Sequence, residues 1–120
     1  MLRVNFESVA LRDLDALDDE TRDALPFGVV GFAEDTIVRV YNATEARMSG
    51  LDPTTVFGVP FFDAVAQCMN NFLVAQRFED EPELDDIVPY VLTLRMRPTK
   101  VRLRLLASAD MPLRYILIER

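Results

Sequence analysis

The chain has 120 residues, enough for one hydrophobic core and not two. Thirteen basic residues against twenty acidic ones leave a net charge of −7, which disfavours capture of nucleic acid or of an anionic membrane surface. There is no histidine, so the usual zinc ligands and the usual general base of hydrolytic triads are missing, and the single cysteine, Cys68, cannot form an intramolecular disulfide.

Taken in chain order, the sequence opens on no apolar run that reads as a signal peptide or a membrane span, so a cytoplasmic protein is expected. Residues 1–25 are acidic, and Leu11, Leu14 and Leu17 recur every three positions, as on one face of a short helix. This predicts an N-terminal helical cap over 1–25, laid on a sheet and ended by Pro26, with residues 26–120 forming the core of one domain. Phe27–Phe32 reads as a buried strand and Thr36–Tyr41 as its hairpin partner, with Glu34 and Asp35 near the turn. A helical turn over Asn42–Met48 should stop at Gly50, and a second should begin in Leu51–Val56 with Pro53 at an early helical position. Gly58 and Pro60 break the chain before Phe61 and Phe62, and Phe72–Phe78 is predicted as a further helix.

The last third alternates. Leu92, Leu94 and Met96 alternate with polar residues over 91–97, and Val101, Leu103 and Leu105 do so over 100–105, so each strand has one apolar and one polar face. A final strand is predicted over Leu113–Ile118. Two charge clusters, Glu79–Asp86 and Lys100/Arg102/Arg104, read as solvated surface. The order predicts an α+β fold, a five-stranded antiparallel sheet flanked by short helices with a pocket between sheet and helices.

Four segments carry a resemblance. They are Pro26-Phe-Gly28 at the first strand, Tyr41-Asn-Ala with Glu45 four residues after the tyrosine, Phe61-Phe-Asp-Ala-Val-Ala-Gln-Cys68, and Met96-Arg-Pro-Thr-Lys-Val101. In this order and at nearly this spacing they resemble the PAS domains, and among these the photoactive yellow protein family. The resemblance runs from the first strand to the end of the sequence. It implies a PAS fold and a blue-light photoreceptor that binds 4-hydroxycinnamic acid (p-coumaric acid) as a thioester. Signalling would proceed by photoisomerisation, proton transfer and partial unfolding toward a downstream signalling protein.

Residue by residue, the resemblance implies chromophore attachment at Cys68, hydrogen bonds to the phenolate from Tyr41 and Glu45, support of the tyrosine by Ser49, and pocket aromatics at Phe61 and Phe62. It implies that Met96 speeds thermal recovery. Three departures stand out: Gln67 replaces a proline, Leu51 an arginine over the chromophore, and Met69-Asn-Asn71 the usual polar turn. The chemistry is consistent with the residue types. A buried phenolate needs donors, and the i to i+4 spacing puts Tyr41 and Glu45 on one side of a helical turn. Burial would keep Glu45 protonated and able to donate.

The rival reading of the same residues is a PAS-type sensory or interaction module without chromophore, in which Cys68 is a small core residue. Neither reading is an enzyme, and neither calls for a metal. A monomer or weak homodimer is expected.

Overall fold

A computed structural model describes residues 4–93 and 97–120. Five strands, β1 (Gly28–Phe32), β2 (Val38–Tyr41), β3 (Leu84–Leu92), β4 (Thr99–Ala107) and β5 (Arg114–Glu119), form one antiparallel sheet in the order β2-β1-β5-β4-β3. The predicted α+β fold is therefore the observed one. In the β1–β2 turn, Asp35 Oδ1 accepts from the Ile37 N–H at 2.9 Å, and Thr36 takes a left-handed φ of 68°.

β1 and β5 lie at the centre, where side chains must be apolar on both faces. Val30, Phe32, Leu103, Leu105, Ile116 and Ile118 point into the main core. Val29, Leu106, Tyr115 and Leu117 point the other way, where Phe6, Val9, Leu14, Leu25 and Phe27 cover them. The N-terminal segment that supplies this cover holds two short helices rather than one. α1 (Leu11–Ala16) ends where Leu17 turns extended, and α2 (Asp19–Asp23) starts on Asp18, whose side chain accepts from the Thr21 N–H at 2.8 Å. Of the three predicted leucines only Leu14 is fully buried, which is worth about 1.5–3 kcal/mol.

The acidic cluster is largely solvated surface, with Glu79, Asp80, Glu83, Asp85 and Asp86 exposed, whereas the two arginines of the basic cluster are partly or fully covered. The Arg102 guanidinium lies 5.1 Å from the Phe6 ring centroid and binds Glu7 at 2.9 Å and Glu119. Arg104, only 3 % exposed, donates to the Phe6 carbonyl at 3.0 Å and to Asp85 at 2.9 Å. Alternation correctly put these arginines on the polar face of β4. That face is covered because a guanidinium can donate to a backbone carbonyl or lie on a ring while its stem packs. From the acidic cluster, Glu81 and Asp86 both bind Arg77.

Between β2 and β3 runs the helical connection. α3 (Ala43–Ser49) is capped by Asn42, whose Oδ1 accepts from the N–H groups of Glu45 and of Val29 in β1. It ends at Gly50 with φ 75°, a conformation glycine adopts without a Cβ penalty. α4 (Pro53–Val56) has Pro53 in its first turn after the Asp52 cap. A π-type turn (Phe61–Val65) and a 3-10 turn (Gln67–Met69) follow, then α5 (Ala75–Asp80).

Two predicted boundaries move. α5 starts later than Phe72 because the Asn71 side chain takes the N–H groups of Leu73 and Val74 into a turn. β3 starts at Leu84, not Val91. Its acids and Pro89 do not look like strand, but β3 is an edge, where a missing N–H and charged side chains are tolerated. The predicted alternation at Leu94 and Met96 lies outside the described residues.

Candidate functional site

Tyr41 closes β2 and Ser49 closes α3, which brings two hydroxyls from opposite ends of one helix to 2.8 Å, both buried. The Ser49 oxygen also accepts from the Leu51 N–H at 3.3 Å. If Ser49 gives its proton to Tyr41, the tyrosine O–H is free to donate elsewhere. Burial, opposed by the Ser49 bond and reinforced by the nearby Glu45 charge, pushes the Tyr41 hydroxyl up to about 12.

Glu45 is buried in the first turn of α3, while Tyr41 ends β2 before the Asn42 cap, so the two do not share the helical turn their spacing predicts. The Glu45 carboxylate bonds to Arg120, which follows β5, and not to Tyr41: Arg120 Nη1 donates to Oε1 at 2.6 Å and Nη2 to Oε2 at 3.2 Å. Gly28 in β1 makes this possible, since a Cβ there would overlap Glu45 Oε1. Burial pushes the Glu45 carboxyl above its ordinary range, and the Arg120 guanidinium opposes that rise.

Cys68 lies in the 3-10 turn as a half-buried free thiol against the main core, the cluster that also contains Tyr41, Phe61 and Phe62. Phe61 and Phe62 are buried in an aromatic group with Phe32 and Phe78. Phe61 stacks on Phe32 at 6.1 Å, while Phe62 meets Phe32 edge-on at 5.4 Å. The Cys68 carbonyl is pinned by the Tyr90 hydroxyl from β3 and by Asn71 Nδ2 at 3.1 Å, and Asn71 also donates to the Tyr90 oxygen at 2.7 Å. The Asn71 departure thus has a structural role: it fixes the backbone that carries the thiol. Gln67 is exposed and donates to the Asp63 carbonyl at 2.9 Å, and Leu51 packs half-buried on the core. Met96 lies outside the described residues.

The structure thus joins Tyr41 to Ser49 and gathers Cys68, Phe61 and Phe62 on one core, but it gives Glu45 to a different partner. Sequence reading missed Arg120 and Tyr90, and met Asn71 only as a departure from the family pattern. Asn71 carried a signal, as a turn-former two residues before an apolar pair. Arg120 carried none, because its partner is 75 positions away.

A scan against models of protein families finds no match. Among curated proteins, the chain is 32 % identical over 92 residues to the photoactive yellow protein of Halochromatium salexigens, covering 74 % of each chain. It is 28 % identical over 107 residues to that of Rhodothalassium salexigens, covering 87 % of this chain and 86 % of the relative. Among solved structures, it superimposes with a TM-score of 0.82 and 30 % identity on the photoactive yellow protein domain of the sensor histidine kinase Ppr from Rhodospirillum centenum, covering 89 % of this chain and 96 % of that one. A PAS domain of an HTR-like protein from Haloarcula marismortui, at TM-score 0.62 and 13 % identity, shares the fold.

Proposed function

This chain belongs to the photoactive yellow protein family, and on that premise we propose that it is a blue-light receptor holding 4-hydroxycinnamic acid as a thioester on Cys68. It is a sensory domain of PAS fold and not an enzyme. The observation that carries the proposal is convergence. A half-buried thiol and a buried Tyr41–Ser49 hydroxyl pair meet on one apolar core lined by Phe61 and Phe62, with the buried Glu45 carboxyl four residues after the tyrosine. This donor set fits an aromatic group carrying one phenolic oxygen.

When bound, the group supplies a double bond that light isomerises and a phenolic oxygen that can hold negative charge. Cys68 forms the bond, on a backbone that Tyr90 and Asn71 hold still. Tyr41 donates its O–H to the phenolic oxygen while Ser49 donates to Tyr41, and burial favours keeping that proton on Tyr41. Glu45 is the carboxyl that holds and releases a proton, since burial favours its neutral form. Met96 is assigned to thermal recovery by the family resemblance. Loosening of the 1–25 cap from the 26–120 core is the proposed output, read by a downstream signalling protein in the cytoplasm. Among the described residues no helix is long and apolar enough to cross a membrane.

Reconstitution tests this. With the anhydride of 4-hydroxycinnamic acid, the Cys68 sulphur forms a bond to one acyl carbon, one hydroxycinnamate leaves, and the thiol proton goes to solvent. Intact mass should rise by one hydroxycinnamoyl group and the protein should absorb blue light, and Cys68→Ala should do neither. A wild-type protein that stays colourless and unmodified overturns the proposal and leaves the sensory module without chromophore.

A further inference from the structure

A lone carboxylate left in an apolar pocket is costly, and that cost is the driving force expected for opening if Glu45 ionises without a partner. The structure gives Glu45 a partner. We propose that Arg120 is a positioning residue that keeps the site charge-balanced: its guanidinium is the built-in counterion of ionised Glu45, so the proton of Glu45 can leave and return without stranding a buried charge. The inference rests on the light-receptor reading for its use, though not for the ion pair itself.

Three observations support it. The two terminal guanidinium nitrogens each donate to one carboxylate oxygen, Nη1 to Oε1 and Nη2 to Oε2, the fork geometry that makes arginine a strong carboxylate partner. The pair is shielded, with side chains 14 % and 2 % exposed, so solvent ions screen it little. The place is also made for it: Gly28 leaves the volume in β1 that Glu45 Oε1 occupies.

Among the described residues, the groups that bear on the Glu45 carboxyl are few. Arg120 comes from the end of β5 and the neutral Tyr41 hydroxyl from the end of β2, while Gly28 on β1 brings no side chain. Leu51, which packs on the same core, brings no charge. Arginine stays protonated at every pH a protein survives, so the counterion is permanent and only Glu45 can switch.

The site thus carries one fixed positive charge and needs one negative charge. Glu45 supplies it when no other anion is present. When a phenolate occupies the site, Glu45 can keep its proton. The trigger is then a transfer of negative charge to Glu45, whose counterion is already beside it, and any opening of the fold comes from lost hydrogen bonds and packing, not from an orphaned carboxylate.

The test begins with the protein free of chromophore. Glutamate labelled with 13C at the carboxyl gives one resonance for Glu45, identified by its loss in Glu45→Gln, and its pH midpoint is followed by NMR. In Arg120→Gln that midpoint should rise by about one to three pH units, the usual effect of an opposite charge at contact distance. In Arg120→Lys, which keeps the charge but not the fork, it should rise less. Equal midpoints in wild type and Arg120→Gln overturn the proposal. If Arg120→Gln does not fold, Arg120→Met removes the charge in its place, and a wild-type midpoint there overturns the proposal.

Reconstituted protein gives a second readout. Illumination should convert a protonated Glu45 carboxyl to a carboxylate in infrared difference spectra, and the conversion should shrink in Arg120→Gln; an undiminished conversion counts against the proposal. A protein that shows the midpoint shift but never takes up the hydroxycinnamoyl group keeps the ion-pair assignment and loses the light-receptor reading. One that takes up the group but shows equal midpoints does the reverse.

Discussion

At the scale of single residues, Gly28 and Tyr41 constrain the site most. Gly28→Ala would push a methyl group into Glu45 Oε1, and the stem offers no escape, since the Glu45 Cβ would lie 3.1 Å away. Overpacking of this kind costs about 1–3 kcal/mol. Urea unfolding should show a lower midpoint at unchanged slope, and Glu45→Ala should recover much of the loss in the double mutant. An undisturbed midpoint in Gly28→Ala would mean that β1 and α3 can part freely. Tyr41 binds its proton more tightly folded than unfolded, because burial raises it to about 12 against an ordinary value near 10. Its contribution to stability is therefore fully present below pH 10 and is lost as pH rises from about 10 to 12. Tyrosinate absorbance should show Tyr41 titrating late, and Tyr41→Phe should remove that late step. These two residues also mark what a sequence discloses. The family resemblance singles out Tyr41, whereas the Glu45–Arg120 pair needs the sheet to be closed before it exists.

At the scale of elements, β4 shows where alternation succeeds and where it stops. The pattern Val101, Leu103, Leu105 correctly assigned the inner face. It could not say that Arg104 on the outer face is buried, because periodicity gives direction and not cover. β3 failed for the opposite reason: Asp85, Asp86 and Pro89 break the pattern that an interior strand needs, and only its edge position excuses them. Arg104 also predicts how the N-terminal segment is held. Arg104→Ala removes a charged donor from the Phe6 carbonyl and the partner of Asp85, at a local cost of about 1.5–3 kcal/mol. Amide exchange should then accelerate at Val9, whose N–H bonds to the Asn5 carbonyl at 3.0 Å, and stay slow in β1 and β5. Equal acceleration in the central strands would show that Arg104 supports the whole sheet and not the segment across it.

At the scale of the molecule, the sheet has two apolar faces and two different covers. The helical connection covers one and the N-terminal segment the other. A chain lacking residues 1–23 would open Val29, Leu106, Tyr115 and Leu117 to water and would lose seven acidic residues against three basic ones. Both changes favour association. Sedimentation should show the shortened chain self-associating with rising concentration while the full chain stays largely monomeric, and a monomeric shortened chain would mean the face is closed by rearrangement. The strand order has its own effect in time. β5 pairs with β1 on one side and β4 on the other, Ile118 lying opposite both Gly28 and Leu103. A ribosome delivers β1 first and β5 last among the strands, so the nascent chain holds two half-sheets, each with a bare central edge, until the six residues of β5 emerge. Folding of this domain thus waits on its final strand, and the interval before that strand emerges is when the chain is most exposed to misassembly.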